Sequence, residues 1–335
     1  MPTLNDVARL ARVSTATVSR CLNTPHQVVP RTRERVMRAI EKLAYTPHFG
    51  GRALASRKTN TIGAIIPTME NAIFARGLQA FEEVLAASGY TLLVASTSYD
   101  PEREYQQVKS LVGRGADGLL LIGWDRAPEV YEFLKAREFP TVVAWNYRED
   151  EGILCTGFDN RAAMRQLVER VIAYGHRSIG MIAGITNNND RAADRVAGAR
   201  TAMTQAGLPE AALPVIEAPY TIEAGAAVMQ KLMAHAPRPT AIVCGNDVLA
   251  VGALGEAKRL GLRVPEDVSI VGFDNIDLAS VVDPQLTTVH VPHRRMGHAA
   301  AQILIGVLQT GEAVDSSRFG TEIIERGSLG PAPDG

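Results

Sequence analysis

From Thr61 onward the sequence alternates short apolar runs with amphipathic stretches, and this alternation leaves few folds open. The runs Thr61–Ile66, Thr91–Ala95, Gly118–Ile122 and Thr141–Ala144 are apolar along most of their length. Between them, residues 73–88, 103–114 and 129–136 repeat apolar positions at helical spacing. The order then recurs, with helices near 162–174, 195–206 and 222–234 and strands near 178–183, 241–244 and 269–273. Strands without an apolar/polar alternation are buried on both faces. Helices between successive strands supply the crossovers that parallel pairing needs. The expected body is therefore α/β: two doubly wound parallel sheets in tandem, each covered by helices. A chain of 335 residues with 46% apolar and 21% charged residues can bury two such cores and has length left for a small additional domain.

Several classes are disfavoured. No apolar run approaches the roughly 20 residues of a membrane helix, and the start Met1-Pro2-Thr3-Leu4-Asn5-Asp6 has neither a basic nor an apolar export region. Cys21, Cys155 and Cys244 are scattered, odd in number and free of CxxC spacing, which suits a reducing compartment. A cytoplasmic protein without membrane association is expected. No Walker A, GxSxG or HExxH pattern occurs and no GxGxxG follows a strand, so no enzyme activity and no cofactor are expected. His290, His293 and His298 superficially resemble a metal cluster. Pro292 interrupts them and no cysteine or suitably spaced acid joins, so no metal site is expected.

The net charge of −1 hides an asymmetry: residues 1–60 hold eleven Lys/Arg and three Asp/Glu, and the other 275 residues hold 24 and 33. A head of +8 on a body of −9 points the head toward a polyanion, although a solvated basic face would read the same way. Within the head, Thr3-x-x-Asp6 forms an N-cap signal, and Leu4, Val7, Ala8 and Ala11 share a helical face. Residues 12–14 break the pattern, and Thr15–Leu22 resumes it with Val18 and Leu22 one turn apart. A third helix, about Arg31–Leu43 with Pro30 leading it, adds Val36, Ile40 and Leu43 to a three-helix core. This is a helix-turn-helix pattern, which also occurs in small helical protein-docking domains. Its second helix would read DNA from its first turns. Arg20 is placed for guanine and Thr15 and Ala16 for thymine methyls, while Ser14, Thr17 and Ser19 are placed for phosphates.

Leu4-Asn5-Asp6-Val7-Ala8, Val13 through Arg20, Thr32-Arg33-Glu34-Arg35-Val36, Leu43-x-Tyr45-x-Pro47 and Arg52-x-Leu54 together resemble the headpiece of the LacI/GalR regulators, without gaps over residues 3–54. The resemblance implies a repressor that binds near-palindromic double-stranded operator DNA as a homodimer. It also implies a hinge helix that forms on DNA, with Leu54 as a minor-groove wedge. Three positions depart from the family pattern. Val29 replaces a capping serine, His48 replaces an asparagine, and Gly50-Gly51 sits inside the hinge at about 1 kcal/mol per glycine relative to alanine. The implied domains are a headpiece over 1–47, a hinge and linker over 48–60 and an effector-binding and dimerisation body over 61–335. In the body, lobe 1 is about 61–160 plus 291–320, and lobe 2 is about 161–290 plus 321–330.

Two such units in tandem also resemble the periplasmic-binding-protein type I fold, whose ligands lie between the lobes at the carboxyl ends of the strands. Ile73 and Phe74, Asn146, Asp190 and Arg195, Tyr220, Asn246 and Asp274 all stand near such ends. By resemblance they are effector contacts: Arg195 and Asp274 for polar groups, Phe74 and Tyr220 for stacking, Asn146 and Asn246 for hydroxyls. Each has a structural alternative. Post-strand Asn and Asp, Asp247 included, cap helices, Phe74 also suits a lobe core, and Arg195 also suits a surface ion pair. His293 reads as structural. The polar mixture favours a sugar or sugar acid as effector, with a purine or other metabolite as the alternative. A solute-binding protein would share the body but would have no use for the basic head. The carboxyl-terminal sequence Gly327–Gly335 cannot form a leucine heptad, so a dimer rather than a tetramer is expected.

Overall fold

The computed structural model describes residues 2–46, 58–69, 72–149, 152–209, 212–310 and 315–333. The chain separates into two compact units, Met1–Thr59 and Asn60–Gly335. Leu54, His48 and Gly50-Gly51 of the expected hinge lie outside the described residues.

The first unit contains α1 (Leu4–Ala11), α2 (Thr15–Asn23) and α3 (Pro30–Leu43), with a single 3-10 turn at Pro25–Gln27. Thr3 caps α1 in a reciprocal box: the Asp6 amide donates to Thr3 Oγ1, and the Thr3 amide donates to Asp6 Oδ2 at 2.9 Å. Arg12 closes α1 in the left-handed conformation at φ 52°. Ser14 then caps α2, accepting the Thr17 amide at 3.2 Å. At α3 the cap position is Val29, which offers no side-chain acceptor, so Pro30 alone pre-sets the first turn. Val7, Ala8, Ala11, Val18, Cys21, Val36, Ala39 and Tyr45 fill the core, and Leu22, Ile40 and Leu43 pack against it half-buried.

In the second unit, β1 (Thr61–Ile66), α4 (Ala72–Ala87), β2 (Thr91–Ser96), α5 (Pro101–Gly113), β3 (Gly118–Ile122), α6 (Pro128–Lys135), β4 (Thr141–Ala144) and β5 (Leu154–Gly157) build the first lobe. The second lobe follows with α7 (Asn160–Ala173), β6 (Ile179–Gly184), α8 (Asp190–Gln205), β7 (Val215–Ala218), α9 (Ile222–Met233), β8 (Ala241–Cys244), α10 (Asp247–Arg259) and β9 (Ser269–Val271). The short α11 (Leu278–Val281), β10 (Thr288–His290), α12 (His293–Thr310), β11 (Ser317–Arg318) and β12 (Glu322–Ile324) complete the chain.

The first sheet runs β2-β1-β3-β4-β5-β11 and the second β7-β6-β8-β9, with every pairing parallel. In each sheet the order reverses beside the first strand, as doubly wound topology requires. The chain crosses between the sheets at β5–α7. It crosses back after β10 into α12, which packs on α4, and β11 extends the first sheet before β12 returns to pair antiparallel with β10. Gly77 and Gly297 permit the close approach of α4 and α12, since a Cβ at Gly297 would overlap the Gly77 carbonyl.

The expected strands and helices are present, with differences. Helix α8 starts at Asp190, five residues ahead of the expected start, because its first turns (Asp190-Arg191-Ala192-Ala193-Asp194-Arg195) carry no apolar period. Helix α10 gave no amphipathic signal because Leu249, Ala250, Gly252, Ala253, Leu254, Glu256 and Ala257 bury nearly its whole circumference. Strand β5, Leu154-Cys155-Thr156-Gly157, is too short and too mixed to read as apolar. Among the described residues no helix is long and apolar enough to cross a membrane.

Candidate functional site

In the first unit, α2 turns Val18 and Cys21 into the core and leaves Ala16 and Arg20 exposed, with Thr15, Thr17 and Ser19 half-exposed. The cap uses part of the Ser14 and Thr17 chemistry: their hydroxyls lie 2.9 Å apart and share a hydrogen bond. The exposed rim therefore presents Thr15, Ala16, Ser19 and Arg20 around a helix N-terminus whose amides and dipole favour an anion. Helix α3 adds exposed cations at Arg31, Arg33, Arg35 and Lys42, and Arg38 lies 3.7 Å from Glu34.

In the second unit, loops after β1, β2, β3 and β4 face loops after β6, β7, β8 and β9. These loops are strained. Ser98, Tyr99, Trp145, Asn188, Asp274 and Asn275 are six of the ten non-glycine residues with positive φ among the described residues. Strain of this kind marks positions that the surrounding structure over-determines, and here it gathers at one cleft. Trp145, at φ 69°, shows how it is held. Its amide donates to Thr156 O at 3.0 Å, its carbonyl accepts from Asn160 Nδ2 at 3.0 Å, and its indole donates to His293 Nδ1 at 3.1 Å.

The cleft is closed by hydrogen bonds from one lobe to the other. Asp190, the first residue of α8, accepts the Trp124 amide at 2.8 Å and Asn146 Nδ2 at 2.7 Å through Oδ2, and Arg191 at 2.9 Å through Oδ1. The same Asn146 amide reaches Asp194 Oδ2, one turn along α8, at 2.8 Å. Burial raises the Asp190 carboxyl, but Arg191, Asn146, the Trp124 amide and Arg148 outweigh it and hold it below the ordinary range. Burial dominates at Asp194, which moves up. Gly123, at φ 72°, leaves room for Arg191 and Asp190, which pack where a side chain would project.

Deeper in the cleft, Arg195 is 5% exposed and fully engaged. It donates to Asn160 Oδ1 at 3.0 Å, Gly245 O at 2.6 Å and Asp274 Oδ1 at 3.4 Å, and it stacks on Phe273 at 3.8 Å. Asp274 is 1% exposed, and burial pushes its carboxyl up despite Arg195. Its Oδ1 lies 4.0 Å from His293 Nε2. Burial, and then Arg195 and Arg76, push His293 down to about 3, so its ring is neutral with the proton on Nε2. Asp274 Oδ2 and His293 Nε2 are both buried without a hydrogen-bond partner among the described residues.

The expected residues divide into groups. Asn146, Asp190, Arg195 and Asp274 converge on one buried network. Ile73 and Phe74 flank it as apolar wall: Phe74 is 2% exposed and meets Trp145 edge-on at 5.8 Å. Tyr220 lines a cavity of about 310 Å3 with Thr68, Ser98, Tyr99, Asn189 and Thr221, and its hydroxyl accepts Asn189 Nδ2 at 3.3 Å. Asn246 caps α10 with Oδ1 on the Leu249 amide at 2.9 Å, so part of its side chain is committed to structure. Asp247 is wholly structural: its carboxylate accepts Thr288 Oγ1 at 2.6 Å and the Ile276 amide at 2.8 Å, and burial pushes it up to about 7. Sequence reasoning missed Asn160, Asp194, Trp124 and Arg191. The pattern Asp190-Arg191-x-x-Asp194-Arg195 carried a usable signal. It places like charges one turn apart on a helix, which is unfavourable unless partners face them.

The comparisons with known proteins agree with this architecture. A model described as bacterial regulatory proteins of the lacI family matches residues 3–48, and one described as a periplasmic binding protein-like domain matches residues 168–329. The chain is 35% identical over 333 residues to the HTH-type transcriptional repressor CytR of Escherichia coli K12, covering 99% of this chain and 97% of CytR. The chain belongs to the LacI family. It is a DNA-binding transcriptional repressor of that family, not an enzyme. Catabolite control protein A of Priestia megaterium is 34% identical over 315 residues, which is 94% of this chain and 95% of that protein. Two solved transcription-regulator structures superpose over nearly the whole chain. One is a lac repressor dimer bound to operator and the anti-inducer ONPF, with TM-score 0.84, 25% identity and coverage of 98% and 99%. The other is a CelR–cellobiose complex, with TM-score 0.72, 30% identity and coverage of 98% and 100%.

Proposed function

We propose that this LacI-family repressor binds a near-palindromic operator as a cytoplasmic homodimer, and that a sugar or sugar acid held between the lobes of its body adjusts that binding. The headpiece is 1–47, the hinge 48–60 and the body 61–335, with lobe 1 about 61–160 plus 291–320 and lobe 2 about 161–290 plus 321–330. Ser14, Thr15, Ala16, Thr17, Ser19 and Arg20 contact DNA, with Leu54 as the hinge wedge. Ile73, Phe74, Asn146, Asp190, Arg195, Tyr220, Asn246 and Asp274 serve the effector.

The observation that carries the effector class is a pair of orphaned polar groups buried in the cleft. Asp274 Oδ2 offers an acceptor and His293 Nε2 a donor, both buried and unpartnered. A hydroxyl both donates and accepts, so one polyol hydroxyl satisfies such a pair. The 310 Å3 cavity is lined by Thr68, Ser98, Tyr99, Asn189, Tyr220 and Thr221 together with the apolar Ile185, Ala218 and Pro219. Phe74 meets Trp145 edge-on, so it is not free to stack on a planar purine. The CelR–cellobiose complex supports the same class. Exposed apolar residues on the edge strand β2 (Leu93, Val94) and on α11 (Leu278, Val281) suit burial against a second copy. The effector acts by its different affinity for two arrangements of the lobes. Those arrangements differ in whether Asp190 and Asn146 join across the cleft.

The test is fluorescence anisotropy with the palindromic DNA upstream of the protein's own gene, at two salt concentrations, with and without sugars, sugar acids and purines. Tight, sequence-selective, salt-sensitive binding that a sugar or sugar acid shifts is expected. Binding no better than to random DNA overturns the operator reading, and a shift by purines alone overturns the effector class. Sedimentation showing a tetramer at micromolar concentration overturns the dimer.

A further inference from the structure

Arg191, the second residue of α8, reaches out of its own lobe. It is 7% exposed, and its guanidinium lies over Gly123, the residue that follows β3 in the first lobe. A Cβ at Gly123 would overlap Arg191 Nη1 and Asp190 Oδ1, so the missing side chain leaves a slot that Arg191 fills. We propose that Arg191 is a built-in closure key, which enters the Gly123 slot and holds the two lobes together without any small molecule.

The first lobe meets this cation with acids. Tyr99 after β2, Glu104 of α5 and Asp125 after β3 line one small void together with Arg191. Asp100 stands in the same wall but is spent on capping α5 through the Glu102 and Arg103 amides. From its own lobe, Arg191 has Asp190, whose Oδ1 accepts from it at 2.9 Å while Oδ2 accepts the Trp124 amide at 2.8 Å. One carboxylate thus ties the key to the peptide beside the slot. A guanidinium removed from water is costly unless acids and acceptors surround it, and Glu104 and Asp125 reach Arg191 only when the lobes are closed.

Glu104 has a second partner for the open arrangement. Its Oε1 lies 3.6 Å from Nε of Arg126, whose side chain is fully buried. Arg126 Nη2 donates to Ile122 O and Gly123 O, but Nε and Nη1 have no hydrogen-bond partner among the described residues. Burial raises the Glu104 carboxyl. Arg126 and then Arg191 oppose the rise, and Asp125 and Asp190 add to it. When Arg191 withdraws, Glu104 closes on Arg126 and supplies the missing acceptor, so the emptied slot keeps no unpaired acid. Two alternative pairings of one carboxylate give the two-state element that a lobe movement needs. The regulatory meaning of the key rests on the cleft being the effector site, but its presence does not.

The two tryptophans of the chain, Trp124 and Trp145, provide the test. The Trp124 amide crosses the cleft to Asp190. The Trp124 indole donates to Asn146 O, the Trp145 amide to Thr156 O and the Trp145 indole to His293 Nδ1, all within the first lobe and the start of α12 packed on it. The experiment is hydrogen exchange of the full chain labelled with 15N-tryptophan, free of DNA and sugars. All four signals should exchange slowly in the wild type. In Arg191→Ala and in Gly123→Ala the Trp124 amide should exchange about tenfold faster or more, with the other three unchanged. The left-handed backbone at Gly123 itself strains an alanine, and those three signals report any general loss of stability. In the double variant the added methyl no longer meets Arg191, so its effect should fall well short of the product of the two single effects. A Trp124 amide that exchanges freely in the wild type overturns self-closure. An unchanged Trp124 amide in both single variants, all four signals accelerating together in both, or a multiplicative double variant overturns the key. Failure of every sugar in the operator assay leaves these outcomes standing, so the two readings fail separately.

Discussion

Removal of Arg195 tests whether the cleft network is a set of mutually dependent charges. Arg195 is 5% exposed, and its guanidinium is the nearest cation to Asp274, itself 1% exposed. Arg195→Leu keeps much of the volume over Phe273. It leaves Asp274 buried without its counter-charge and removes a donor from Asn160 Oδ1 and from Gly245 O. Breaking a buried pair in this way costs about 3–5 kcal/mol at neutral pH. The pH dependence separates charge from packing. The folded-state carboxyl of Asp274 is already raised by burial, so protonation favours the folded state, and Asp274 costs stability as pH rises through that range. Arg195 is the cation that opposes the shift, so its loss raises the carboxyl further and enlarges the cost at pH 7. Acidification relieves the cost. The gap between wild type and Arg195→Leu should therefore narrow as pH falls from 7 toward the ordinary carboxylate range. The backbone at Asp274, at φ 101°, admits asparagine more readily than most residues. Asp274→Asn in the Arg195→Leu background should then recover most of the loss at pH 7. Urea unfolding of the wild type, both single variants and the double variant at pH 7 and pH 5 measures this as a cycle. A pH-independent gap, or no recovery in the double variant, would refute the charge argument and leave only packing.

Other outcomes follow from single positions. Val29→Ser gives α3 the side-chain cap it lacks at a site 69% exposed, so α3 should gain about 1 kcal/mol, seen as roughly fivefold slower amide exchange in that helix. Unchanged exchange would show that Pro30 already sets the first turn. Arg20→Ala should weaken operator binding by about 1–3 kcal/mol and relax preference at one base pair of each half-site. Uniform weakening across all sequences would make Arg20 a phosphate contact. His293 is held at about 3 in the folded protein against an ordinary 6.5, so it contributes stability above about pH 6.5 that is lost as pH falls toward 3. His293→Gln should flatten that acid limb, and an unaltered slope between pH 6.5 and 4 would place the loss elsewhere.

The two units were legible in the sequence to different depths, for physical reasons. The headpiece is built from local signals: a capping pair at Thr3 and Asp6, a break at residues 12–14 and a helical apolar face, all set within a few residues of the contacts they make. The cleft depends on which strand ends the topology brings together, and no local pattern states that. Asn146 and Asp274 could be placed after strands because apolar runs announce strand ends. Asn160 could not be recognised, because an Asp159-Asn160 pair ahead of a helix reads as a cap. Asp159 does take that role, accepting the Ala162 amide at 2.8 Å, which leaves Asn160 to join Trp145 to Arg195.

Asn246 and Asp247 show the converse. Asn246 stands where a ligand contact is expected and Asp247 follows it, yet Asn246 spends its Oδ1 on capping α10 and Asp247 ties the segment after β9 to β10. What separates a ligand contact from a structural one is whether neighbouring backbone already satisfies the side chain. Asp247 has donors on both oxygens, whereas Asp274 has one oxygen held by Arg195 and one with no partner. By that criterion Asp274 and His293 are the cleft residues with unspent hydrogen-bonding capacity, whereas the acids on α8 are committed to bonds between the lobes. A ligand that satisfies Asp274 while leaving Asp190 on Trp124 favours the closed arrangement. One that competes for Asn146 favours the open one. On the proposed effector reading the same cleft would report different small molecules in opposite senses, and the loops after β3 and β4, which carry Trp124 and Asn146, would decide between them.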